Sequence, residues 1–162
     1  MPTEISGATG VNKVQSSAIE TGDLPTGSVL QVVQGTSTTS TTTSSTSYVD
    51  TGLSATITPS STSSKILISA TFSFDTNTNG EQPYLAFYRG TDNLNGAANA
   101  NAWGTLYSAT RVIAQISGVQ LNSPSSTSAL TYSVKFKSAA GGAIEFTTQG
   151  TVSYITLMEI AG

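Results

Sequence analysis

The chain has 162 residues, a formal net charge of −3 and only 9% charged side chains, against about a quarter in ordinary soluble domains. It contains neither histidine nor cysteine, which excludes a Ser-His-Asp triad, histidine-ligated metals, thiolate chemistry and disulfides. The six scattered Lys and Arg make no basic field for nucleic acid, and no segment approaches the roughly 20 apolar residues of a membrane-spanning helix.

Residues 1–27 read as an extended N-terminal arm. Gly7, Gly10, Gly22, Pro25 and Gly27 interrupt any long helix. Ser17-Ala18-Ile19-Glu20 has the form of a capping box, yet no apolar periodic run follows it. The apolar residues stand singly, at Ile5, Val11, Val14, Ile19 and Leu24. Such a segment buries too little surface to fold alone. It can instead lie along another macromolecule and seat single side chains in separate pockets. At about 3.3 Å per residue it reaches on the order of 90 Å. Met1-Pro2-Thr3-Glu4 lacks the basic segment and apolar run of a secretory signal, so synthesis in a cytoplasm without export is expected.

Residues 28–162 read as one all-β domain. Val29 to Gln34 is the first candidate strand. Residues 36–47 are twelve consecutive Ser and Thr. Thr favours extended backbone and Ser competes with helix through local hydrogen bonds. The run is either a hydrated outer strand or a flexible connector, and the β-like segments on both sides favour the strand. Ala55 to Thr58 alternates and meets Pro59 and a serine-rich turn. Lys65 to Phe74 alternates most clearly, with Ile66, Ile68, Ala70, Phe72 and Phe74 on one face and Leu67 the lone apolar residue on the other. Tyr84 to Arg89 is a further strand. Gly90 to Thr110 is a long Gly/Ala/Asn loop carrying Trp103 and Tyr107.

Val112 to Ser117 and Val119 to Leu121 continue the pattern, followed by Leu130 to Lys137. Gly141-Gly142 reads as a hairpin turn into Ala143 to Thr148, and Gln149-Gly150 as a second turn. The last strand, Val152 to Ile160, is apolar on both faces and is therefore expected to be central and covered, by its own domain or by a neighbouring subunit. Eight to ten short strands without intervening helices indicate an antiparallel sandwich.

Chemistry is sparse. Two carboxylates suffice for a glycosidase, but the supporting charges and aromatics of a catalytic site are missing, so no enzyme, cofactor or metal is expected. Asp75-Thr76-Asn77-Thr78-Asn79-Gly80 matches the first half of a calcium loop. The twelfth position is Ala86 rather than Glu, and the same residues make ordinary turns. Trp103 and Tyr107 suit stacking on a sugar or anchoring a protein contact, while Trp103 can equally fold back to plug the end of the sandwich.

Several segments carry a resemblance. Ile5-Ser6-Gly7-Ala8-Thr9-Gly10-Val11-Asn12-Lys13-Val14-Gln15, then Ile19-Glu20-Thr21-Gly22-Asp23-Leu24-Pro25 and Gly27-Ser28-Val29-Leu30-Gln31-Val32-Val33, resemble the N-terminal and linker segments of tailed-bacteriophage structural proteins. So do Thr46-Ser47-Tyr48-Val49-Asp50-Thr51-Gly52-Leu53 with Ile57-Thr58-Pro59, Ser63-Ser64-Lys65-Ile66-Leu67-Ile68, and the closing Tyr154 to Gly162. The resemblance implies a jelly-roll sandwich similar to the trimeric heads of tumour-necrosis-factor and complement type. It further implies a homotrimer on the virion, with Tyr154, Ile155, Leu157 and Met158 at the trimer interface. Such modules occur in tail fibres and in head-decorating proteins. A short chain beginning at its own Met1, with no fibrous shaft, fits a decoration protein on the capsid exterior, gripping the major capsid protein through the arm. The other expectation is a tail protein that touches host glycans through Trp103 and Tyr107.

Overall fold

The computed structural model describes residues 23–77, 79–95, 110–147 and 150–162. The arm residues Ile5, Val11, Val14 and Ile19, the Ser17 to Glu20 box, and Trp103 and Tyr107 lie outside them. The described residues form ten strands and no α-helix. In chain order these are β1 Val29–Ser37, β2 Thr41–Thr43, β3 Val49–Ile57, β4 Lys65–Asp75, β5 Pro83–Arg89, β6 Asp92–Asn93, β7 Ile113–Asn122, β8 Leu130–Ser138, β9 Ile144–Phe146 and β10 Ser153–Ile160.

The strands make two antiparallel sheets. One has the order β1-β10-β4-β9-β2, with β7 on the other side of β4; the second runs β3-β8-β5-β6. The six-stranded sheet is simpler than its count. β10 and β9 follow one another along the same edge of β4, pairing Tyr154 with Thr71 and Phe146 with Phe74. β1 and β2 follow one another along β10 and β9 in turn, pairing Ser37 with Ser153 and Thr41 with Phe146. Two long strands are thus each interrupted once. Between the two parts of the second, the Thr147 and Ser153 hydroxyls meet at 2.8 Å. With each interrupted strand taken as one, eight strands remain. The first pairs with the eighth, the second with the seventh, the third with the sixth and the fourth with the fifth.

The strands form because the chain alternates. In β4, Ile66, Ile68, Ala70, Phe72 and Phe74 are buried while Lys65 is exposed and Leu67, Ser69 and Thr71 are half-buried. Ile155 and Leu157 of β10 join them. Leu53, Ala55, Ile57, Leu85, Phe87, Tyr132, Val134 and Phe136 from the other sheet complete one cluster. Phe146 links the layers, with its ring 4.7 Å from Phe72 and 5.8 Å from Phe136. Burying each such ring contributes about 2–3 kcal/mol.

Two glycines are required by geometry. A Cβ on Gly35 would stand 1.9 Å from the Ser54 carbonyl oxygen, so glycine lets β1 abut β3 at the seam between the sheets. Gly52 has φ +78° and sits in a bulge where residues 51–53 of β3 stand opposite Val134 alone. Asp50 accepts from the Gly52 N–H at 2.9 Å, and the Thr51 hydroxyl donates to the Val134 carbonyl at 2.6 Å.

Several expectations need correction. Gly141-Gly142 is not a hairpin turn: β8 and β9 lie in different sheets, and the Glu81 carboxylate shapes the crossing by accepting the N–H groups of Ala139, Ala140 and Gly142. Of the strand expected over Ala143 to Thr148, Ile144–Phe146 is extended among the described residues, and Thr148 lies outside them. Gln149, the first residue of the second expected turn, lies outside the described residues; β9 and β10 on either side of it run in line along β4. The two strands read over 112–117 and 119–121 are one, Ile113–Asn122, which continues through the buried Gly118. The hydroxyl run divides: it ends β1, makes β2, and leaves 38–40 and 44–47 between strands. The expected Ala55 to Thr58 strand begins six residues earlier, at Val49.

Candidate interaction surfaces

The face of the larger sheet turned away from the core is built by the residues that alternate with the core set. Straight across it run Val32, Met158, Leu67 and Leu121, each the register partner of the next. The following row is Gln34, Thr156, Ser69 and Val119, and the next is Thr36, Tyr154, Thr71 and Ser117. Val32 is 57% exposed, Val119 63% and Leu121 53%. Among the described residues, eight large hydrophobics are exposed, and Val29, Val32, Ile113, Val119, Leu121 and Tyr154 all belong to this one face. Isolated exposed apolar side chains are normal, but a contiguous set marks a contact surface.

Charge is confined to the ends of that face. Lys65 stands at one end. At the other, Asp75 is buried beneath Arg111, which donates Nε to Oδ1 at 2.9 Å and also reaches Oδ2 through its terminal nitrogen. The Asp75 hydrogen bonds and charge push the Arg111 guanidinium pKa up further. Glu145 lies beside this pair and accepts from Ser40 at 2.5 Å. The carboxylate that the calcium reading needed is therefore taken by Arg111, and no cluster of metal-ligating side chains occurs among the described residues.

The outward face of the smaller sheet is different. Tyr84 and Tyr88 on β5 stand beside Lys137 and Lys135 on β8. The Lys135 ammonium is 4.7 Å from the Tyr88 ring centre, and that of Lys137 is 5.0 Å from Tyr48 and 5.4 Å from Tyr84. Tyr48 meets Tyr88 edge-on at 5.8 Å. Burial pushes the Tyr48 and Tyr88 phenols up. Cations there lie over π faces, and Lys137 and Ala86 are buried.

Two further acids are structural. Burial alone would raise the Glu81 carboxyl, but the N–H groups of Ala140, Gln82 and Gly142 outweigh it and hold the pKa below its usual value. Glu159 is likewise opposed by burial and held down by Gln31 and by Ser60, whose N–H and hydroxyl both donate at 2.7 Å. Asp75, Glu81 and Glu159 thus serve the fold.

The four residues expected at a trimer interface divide. Ile155 and Leu157 are fully buried in the chain's own core, whereas Tyr154 is exposed and Met158 half-buried on the outward face. β10 is central, between β1 and β4, as its two-sided apolarity requires. Leu24, expected on the arm, lines a cavity with Leu30, Ser64 and Gly162. Sequence reading missed Val32, Ile113, Val119 and Leu121 as members of one face. Leu67, flagged as apolar on a polar side, was the signal that pointed there. No known family and no curated protein matches the chain.

Proposed function

We propose that this chain is a structural protein of a tailed-phage virion: a jelly-roll sandwich that assembles as a homotrimer and decorates the capsid, gripping the major capsid protein through its N-terminal segment. The observation that carries the reading is the uncharged apolar row Val32, Met158, Leu67 and Leu121. A face of this kind suits permanent association between copies of a protein. The nested first-with-eighth pairing supports the jelly-roll assignment, since rolling one long hairpin into two layers produces it, and virus shells use that architecture widely. The absence of histidine and cysteine, and acids committed to internal contacts, favour adhesion over catalysis.

The test is stoichiometry. Quantitative mass spectrometry of purified particles should find this chain in large numbers relative to the major shell protein. A few copies per particle would place it on the tail and favour the glycan-contacting reading. Deleting residues 1–22 should abolish capsid occupancy without changing the number of chains per assembly; unchanged occupancy would remove the arm from the account.

A further inference from the structure

We infer that one end of the domain, formed by residues 24–28, the β3–β4 loop 58–64, the β7–β8 loop 123–129 and residues 161–162, is the face that seats on the shell protein. The inference rests on the virion reading above and adds the direction in which the domain points.

Register places these segments together. Ile160 pairs with Val29 and Lys65, Ile66 with Asn122, and Ile57 with Leu130. The chain from residues 1–22 joins the domain at this same end, where the Gly27 N–H donates to the Ala161 carbonyl and the Ala161 N–H to the Ser28 carbonyl, each at 2.8 Å. An arm that grips a surface and a domain that rests on it must share that side. In a cyclic trimer whose strands run along the threefold axis, every copy presents this end to the same side, so three arms and three end faces would engage together, each raising the effective concentration of the others.

The chemistry of this end suits a neutral, hydrogen-bonding protein surface. Loops 58–64 and 123–129 themselves hold eleven Ser or Thr among fourteen residues and no charge; the charges flanking them are Lys65 and the Arg89–Asp92 ion pair, and the opposite end carries Asp75, Arg111, Glu81 and Glu145. The loops are also held in place. Glu159 fixes Ser60 through two 2.7 Å hydrogen bonds, the Ser61 and Ser63 hydroxyls meet at 3.0 Å, and the Ser128 N–H donates to Ser126 at 3.1 Å. Pre-ordered donors and acceptors lose little entropy on docking. Between the arm and the first loop lies a cavity of about 260 Å³ lined by Leu24, Leu30, Ser60, Ser63, Ser64 and Gly162, large enough for one side chain of the partner. Binding without charge pairs should vary little with salt.

Co-sedimentation of the full-length protein with virion heads stripped of it tests the inference. Thr62→Glu with Thr127→Glu, both exposed at this end, should weaken attachment by about tenfold or more. Ser44→Glu at the far end should stay within about twofold of wild type, and raising the salt should change wild-type binding little. Wild-type attachment by the double variant, an equal loss in Ser44→Glu, or steep salt dependence would overturn the inference and leave the virion reading standing. Should the double variant misfold, Thr127→Lys alone carries the same prediction. Wild-type protein that does not sediment with the heads would sink the virion reading, and the inference with it.

Discussion

The two sheets share one core but treat their outward faces in opposite ways. On the smaller sheet, Lys135 and Lys137 lie over tyrosine rings, and Lys137 is nearly out of solvent. On the larger sheet, Val32, Leu121 and Val119 stand more than half exposed in adjoining rows. Both faces alternate with the same core, so fold stability alone does not explain the difference. A face whose polar groups find partners within the chain contributes to the monomer; an apolar face left to water gains only when another surface covers it.

The largest expected effect separates these roles. Leu67→Lys with Met158→Lys puts two ammonium groups into the middle of the apolar row, and a charge left unpaired in an interface is strongly unfavourable. Self-association should be lost while the monomer's melting temperature changes little, measured by sedimentation and by thermal melting of the same samples. Gly35→Ala attacks the seam between the sheets instead. Its methyl would press on the Ser54 carbonyl, and denaturant unfolding should show a loss of about 3 kcal/mol. Glu81→Ala should cost about 2 kcal/mol, because it strands the N–H groups of Ala139, Ala140 and Gly142.

Acid sharpens the distinction further. The folded pKa values of Glu81 and Glu159 lie below their ordinary 4.5. The stability these carboxylates lend is therefore complete above that value and drains away as pH falls through the folded values. Melting temperature should be flat from neutrality to about pH 5 and drop below it, with a shallower drop in Glu81→Gln. The uncharged rows of the larger sheet hold no group that titrates there, so association should follow pH only through unfolding. The smallest effect is expected from Lys135→Met. Losing the cation above Tyr88 should cost about 0.5–1 kcal/mol and leave the solution mass unchanged.

Alternation made β4 legible from the residues alone, because its inward set is apolar without exception and its outward set has one violation, Leu67. β8 was legible for the same reason, whereas β10 was read as central because it is apolar on both faces. The connections were not. Gly141-Gly142 has the composition of a tight hairpin, and only the distant Glu81 carboxylate, fifty-eight or more residues away along the chain, turns it into a crossing between sheets. The interruption between β9 and β10 rests on the Thr147–Ser153 hydroxyl bond and the pairing with β4, which a local pattern does not contain. The apolar face was hidden for a related reason. Each strand contributes one to three apolar residues to it, and only cross-strand register brings Val32, Met158, Leu67 and Leu121 into one row.

Sedimentation equilibrium on the full-length protein and on its Leu67→Lys/Met158→Lys variant tests the account most directly. The wild type should have three times the 16.6 kDa chain mass, and the variant should be a folded single chain. A wild type that stays monomeric, or a variant that remains trimeric, would contradict the role given to the outward face of the larger sheet.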